Sequence, residues 1–110
     1  MAKDLSIAIL LDVYGQLLTE KQRFAVDMYY NEDLSLAEIA DEIDISRQGV
    51  RDSIKQGEKH LLEYEEKLGT VRRFQRVSAQ LDRLDALLDI LDFEGKEQIA
   101  EISREIAKEI

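Results

Sequence analysis

Cysteine, proline and tryptophan are all missing from this sequence of 110 residues, and there are only five glycines. Without cysteine there is no disulfide framework, no thiolate nucleophile and no cysteine zinc site. With no proline and little glycine to break them, helices joined by short turns are favoured. The apolar run at residues 6–11 follows Lys3 and Asp4 and leads into Asp12. It is far shorter than the roughly 20 residues that cross a bilayer, and no A-x-A-like cleavage site follows it. The chain therefore reads as a soluble cytoplasmic protein with no membrane insertion. Basic charge is the minority: 15 Lys and Arg stand against 24 Asp and Glu, a net charge of −9. That balance excludes indiscriminate polyanion binding but leaves room for a local basic face.

What is present is helix-forming. The composition is 45% hydrophobic and 35% charged, enough apolar material for one modest core and one domain's worth of chain. No segment shows the period-two alternation of a strand, so the expected fold class is all-α. Leu5, Ile7, Leu10, Leu11, Tyr14, Leu17 and Leu18 form an opening amphipathic segment, broken near Gly15. Thr19-Glu20-Lys21-Gln22 has the form of a capping box and starts a second helix through about Tyr30. Phe24, Ala25, Met28 and one of Tyr29 or Tyr30 are its expected inward residues. Ser35-Leu36-Ala37-Glu38 is a second capping box, opening a short helix with Leu36, Ile39, Ala40 and Ile43 inward. Asp44-Ile45-Ser46 then supplies a turn-prone acid, a buried anchor and a new N-cap. From Ser46 a longer helix runs toward Leu68, with Val50, Ile54, Gly57, Leu61, Tyr64 and Leu68 in one stripe. Gly69-Thr70 punctuates. Phe74, Val77, Leu81, Leu84, Leu88 and Leu91 mark a fifth helix, and Ile99, Ile102, Ile106 and Ile110 a sixth. The expected organisation is a helical domain over 1–69 and a helical extension over 70–110, packed on that domain or on a dimer partner.

A short capped helix, a tight turn and a longer capped helix make a helix-turn-helix pattern, here over about 35–59. In such a unit the second helix enters the major groove and its first residues meet base edges. At about 100° per residue, with Arg47 at zero, Arg51, Lys55 and Gln48 fall within about 100° of it, while Val50, Ile54 and Leu61 cluster near 300–340°. Arginine suits guanine O6 and N7, and glutamine suits adenine N6 and N7. Ser46, Arg47, Gln48, Arg51 and Lys55 are therefore the candidate nucleic-acid-binding residues, with Ser46 capping the helix beside a phosphate. Charge supports the location: residues 1–45 carry a net −7, residues 46–60 a net +2 and residues 70–83 a net +3. In the last stretch Arg72, Arg76 and Arg83 share a ridge. That ridge fits a nucleic-acid backbone, and equally an acidic surface of residues 1–45 in the same or a second chain.

The residues that carry this pattern also carry a resemblance. Leu18 to Arg23, Leu34 to Ala40 and Ile45 to Val50 resemble region 4 of bacterial sigma factors. Tyr14-Gly15, Leu17 to Gln22, Leu34-Ser35-Leu36, Ser46-Arg47-Gln48 and Tyr64 to Leu68 look more closely like the YlxM-type family, over residues 5–70. That resemblance implies a DNA-binding helix-turn-helix regulatory protein. It also implies a part in the signal recognition particle protein-targeting pathway, whose GTPase genes accompany the family's. The alternative it leaves is an accessory protein contacting signal recognition particle RNA or its GTPases. Two features depart from a simple promoter binder. Glu38, Asp41, Glu42 and Asp44 stand where a phosphate backbone would pass. Gly49 and Gly57 lie inside the expected reading helix, each costing about 1 kcal/mol of helix propensity.

Other chemistry lacks its residues. His60 is the single histidine, with Glu63 one turn away, and that pair does not complete a metal site. Phosphate-loop, dinucleotide and nucleophile-elbow motifs do not occur. Tyr14, Phe24, Tyr29, Tyr30 and Phe74 sit at helix-packing positions. The reading is of a non-enzymatic protein without metal or cofactor, and of a homodimer, because the stripes over 50–68, 74–91 and 99–110 exceed what one small chain covers.

Overall fold

A computed structural model describes residues 3–110. Among them are six α-helices and no strand: α1 (Ser6–Tyr14), α2 (Glu20–Tyr30), α3 (Leu36–Ile43), α4 (Arg47–Leu68), α5 (Thr70–Ile90) and α6 (Lys96–Lys108). A single 3-10 turn, Gly15–Leu17, joins α1 to α2. The all-α expectation holds. The chain divides into two compact units, Met1–Val71 and Arg72–Ile110.

Local chemistry sets the helix starts. Thr19 accepts from the Gln22 amide while the Gln22 side chain accepts from the Thr19 amide, at 3.2 and 3.3 Å. Ser35 and Glu38 do the same for α3, both at 3.1 Å. Each box satisfies two amides that a bare helix end leaves unpaired. At the other end of α4, Gly69 takes φ 64° and its amide bonds the Glu65 carbonyl, the left-handed stop that glycine provides without strain.

In the first unit α4 is the spine. Its first half buries Val50 and Ile54 with Ala25 and Tyr29 of α2 and Ile39 and Ala40 of α3. Its second half buries Leu61 with Ile7, Leu10, Leu11 and Tyr14 of α1, Val26 of α2 and Val71. A polar clasp closes this second cluster. The Tyr14 hydroxyl donates to Glu65 at 2.7 Å and accepts from the Thr70 amide at 3.1 Å, and Glu65 also accepts the Val71 amide at 3.0 Å.

Helix α2 differs from its expected orientation. Its buried residues are Ala25, Val26 and Tyr29, whereas Phe24 is exposed. The helix is covered by α1, α3 and α4, so its inward arc is centred one residue later than a single apolar stripe implies. Phe24 instead lies under the Arg23 guanidinium, 5.2 Å from the ring centroid. Leu68, the last member of the α4 stripe, is also exposed, because it sits in the final turn beside the stop at Gly69.

In the second unit Leu81 and Leu88 of α5 are buried, and in α6 it is Ser103 that is buried. The Ser103 hydroxyl donates to Asp85 of α5 at 2.9 Å. Phe74, Val77 and Leu91, and all four isoleucines of the α6 stripe, are exposed rather than packed. In α6 the buried contact is made by a small polar side chain, which leaves the branched side chains turned outward.

Candidate nucleic-acid interface

The site is built from α3, a three-residue turn and the first half of α4. Asp44 ends α3 in the left-handed region, φ 56° and ψ 50°, a conformation that aspartate tolerates better than bulkier residues. Its amide and that of Ile45 both bond the Ala40 carbonyl, the latter at 3.2 Å. This double closure turns the chain and places Ile45 against the core. Ser46 then takes an extended conformation and its Oγ accepts the Gly49 amide at 2.9 Å.

Both glycines of α4 have steric reasons. A Cβ on Gly49 would lie 3.2 Å from Ser46 Oγ and 3.4 Å from Ile45 Cδ1, crowding the cap and the anchor together. A Cβ on Gly57 would lie 2.7 Å from Val26 Cγ2, inside any real carbon contact. Gly57 is thus where α2 and α4 approach most tightly among the glycines, and it offsets the propensity lost in the helix interior.

With Val50, Ile54, Gly57 and Leu61 committed to the core, the remaining arc of α4 faces solvent. Ser46, Arg47, Gln48, Arg51 and Lys55 are all exposed on it, spread over about two and a half turns. Among the described residues, Arg47, Arg51 and Lys55 have no carboxylate partner. Gln48 differs: its Nε2 donates to Asp52 at 2.9 Å, so a base must compete with an intrahelical bond. Glu58 falls on the basic arc by angle but reaches the other way, accepting the Tyr30 hydroxyl of α2 at 2.9 Å. Partial burial, and then the hydrogen bond to Glu58, push the Tyr30 phenol up to about 12. Glu58 is therefore tied up in structure and subtracts little from the basic face.

The acidic flank is real. Asp41, Glu42 and Asp44 are exposed on and after α3. The backbone amide of Ser35, and then its hydroxyl, hold the Glu38 carboxyl below its ordinary range, so Glu38 stays ionised. Arg72, Arg76 and Arg83 are exposed along α5 in the second unit, where Arg83 donates to Gln80 at 3.1 Å. One neighbour of the site has no counterpart in the linear pattern. Thr19, Lys21 and Gln22 at the start of α2 line a cleft with Gly49, Asp52, Ser53 and Gln56 of α4. Lys21 thereby adds a cation beside the helix, a position set by tertiary packing and not by spacing.

No cluster of three or more His, Cys, Asp or Glu that could hold a metal occurs among the described residues. No helix among them is long and apolar enough to cross a membrane.

Two capped helices joined by a tight turn, the second presenting a basic N-terminal face, define the class as helix-turn-helix. The chain belongs to the UPF0122 family: residues 1–105 match the family model described as "Putative helix-turn-helix protein, YlxM / p13 like". It is 46% identical over 107 residues to a UPF0122 protein of Thermoanaerobacter sp. (strain X514), covering 96% of this chain and 92% of that one. It is 48% identical over 87 residues to a UPF0122 protein of Halalkalibacterium halodurans, covering 79% and 80%. A third relative, from Listeria innocua, is 42% identical over 97 residues, covering 86% and 88%.

Proposed function

We propose that the protein is a regulatory DNA-binding protein that docks the N-terminal half of α4 in the major groove. One observation carries this reading: Arg47, Arg51 and Lys55 are exposed side by side on a rigidly capped helix, without carboxylate partners among the described residues. Guanidinium groups so placed are available both to guanine edges and to phosphates. Arg47 and Gln48, nearest the cap, are the base readers, and Gln48 reads adenine after releasing Asp52. Arg51 and Lys55 fix register on the backbone. The setting we propose is the signal recognition particle protein-targeting pathway, to which the resemblance of residues 5–70 to YlxM-type proteins points.

A second reading is favoured by the exposed carboxylates Asp41, Glu42 and Asp44. They repel a continuous duplex backbone and suit a partner that offers separated phosphates or basic side chains, such as signal recognition particle RNA or its GTPases. The test is a fluorescence-anisotropy titration of labelled duplex DNA and labelled signal recognition particle RNA, side by side, at several salt concentrations. Salt-dependent binding to the duplex supports the first reading, and binding confined to the RNA supports the second. No binding to either at low salt removes both nucleic-acid roles.

A further inference from the structure

Most large apolar side chains of the second unit are exposed. Below about 40 residues a unit does not ordinarily close its own core, and association with another chain is one of the usual remedies. In α6 the buried residue is Ser103, held by Asp85. Ile102 and Ile106 are 59% and 42% exposed, with Ile99 and Ile110 continuing the same row. Glu101, Glu105 and Glu109, at spacings of four, run along one edge of that row and line a shallow apolar groove with Ile102 and Ile106. Exposed isoleucines on one helical arc, edged by a column of glutamates, make an amphipathic face without a cover.

The complementary surface lies on the same unit. Phe74 and Val77, near the start of α5, are exposed apolar side chains. They are flanked by Arg72, Arg73 and Arg76, and from Thr70 through Leu81 α5 carries no acidic residue. Other exposed apolar rows lack this frame: Leu5, Ile9 and Val13 at α1, since Ser6–Tyr14 holds no Lys or Arg, and Leu87, Ile90 and Leu91 at the end of α5, which stand among Asp85, Asp89 and Asp92. Apolar area with matching charge at the rim fixes both the choice of partner and its register.

We infer that a second copy of this chain covers these faces: the isoleucine row and glutamate column of α6 in one protomer dock on the Phe74–Val77 surface and arginine ridge of α5 in the other. The exchange is reciprocal, as a two-fold interface requires. It buries the α6 isoleucines and places Glu101 and Glu105 against a partner's arginine ridge. The association is independent of what α4 binds.

The test is light scattering on the whole chain at micromolar concentration. The expected mass is twice 12.7 kDa. Ile102→Glu with Ile106→Glu should weaken the dimer about a hundredfold or more, the effect of removing two buried isoleucines. Circular dichroism should be unchanged, because both side chains are already exposed within one protomer. Glu101→Lys with Glu105→Lys should weaken association about tenfold at low salt, and adding Arg76→Glu should recover it. Leu5→Glu with Ile9→Glu should leave the mass unaltered. A monomeric wild-type protein overturns the proposal. So does a dimer indifferent to the α6 isoleucine variant, or one dissolved by the α1 variant. Failure of Arg76→Glu to rescue the lysine pair overturns the pairing of α6 with α5.

Discussion

Replacing Gly57 by alanine sets two effects of known sign against each other. Alanine adds about 1 kcal/mol of helix propensity in the interior of α4. Its Cβ would also stand 2.7 Å from Val26 Cγ2 of α2, and Val26 is fully buried. Overpacking of a closed site costs about 1–3 kcal/mol, because the neighbour has nowhere to move. The net expectation is a loss of zero to about 2 kcal/mol, when propensity alone gives a gain. A double-mutant cycle separates the two effects. Val26→Ala removes the offending methyl groups and, by itself, leaves a cavity that costs stability. In that background Gly57→Ala should stabilise by about 1 kcal/mol, so the coupling between the two positions is about 1–3 kcal/mol in favour of the double variant. Urea unfolding followed by circular dichroism measures all four corners. If Gly57→Ala stabilises the wild-type protein by about 1 kcal/mol, α2 and α4 do not approach so closely, and the steric account of Gly57 fails.

Other expectations concern the frame that holds α4. Ser46→Ala removes the Oγ that accepts the Gly49 amide and should cost about 1 kcal/mol, read from the urea midpoint; Ser46→Asp should retain most of it. Tyr30 titrates from 10.0 in the unfolded chain to about 12 when folded. A raised phenol favours the folded state below pH 10, and that contribution disappears as pH rises toward 12. Stability should therefore fall across that interval, and Tyr30→Phe should flatten the fall, as alkaline unfolding curves will show.

Much of this architecture was legible because its signals are local. The capping boxes at Thr19 and Ser35, the cap at Ser46 and the stop at Gly69 depend on side chains within four residues. The helix-turn-helix could be placed from them, as could the basic arc of α4. Packing against two neighbours was not legible in the same way. A single stripe puts Phe24 inward, whereas Val26 is buried against α1 and α4 and Tyr29 against α3 and α4. The stripe of Ile99, Ile102, Ile106 and Ile110 marks the helix by period but gives no sign that in α6 Ser103 is the buried residue. Side-chain commitments were hidden too. Glu58 lies with the arginines on a helical wheel but is drawn to Tyr30, and Gln48 is held by Asp52. Lys21 comes beside α4 through the fold, twenty-six residues and two interhelical connections before Arg47, so no spacing rule finds it.

These features serve one arrangement. The close approach at Gly57 sets α4 against α2, the turn at Asp44 and the cap at Ser46 fix where α4 begins, and the basic side chains follow at once. The acidic residues of α3 oppose any indifferent attraction to nucleic acid, as does the net charge of −9. On this account affinity is carried by few phosphates and has a shallow salt dependence.

The most direct test compares wild-type protein with Arg47→Ala/Arg51→Ala by anisotropy on duplex DNA across a salt series, with helicity checked for both. The account predicts measurable wild-type binding at low salt. In the double variant it predicts affinity lower by about tenfold or more, and a log–log salt slope reduced by about one for each phosphate that is no longer neutralised. Equal affinity and equal slope in a folded double variant would contradict the assignment of α4 as the reading helix.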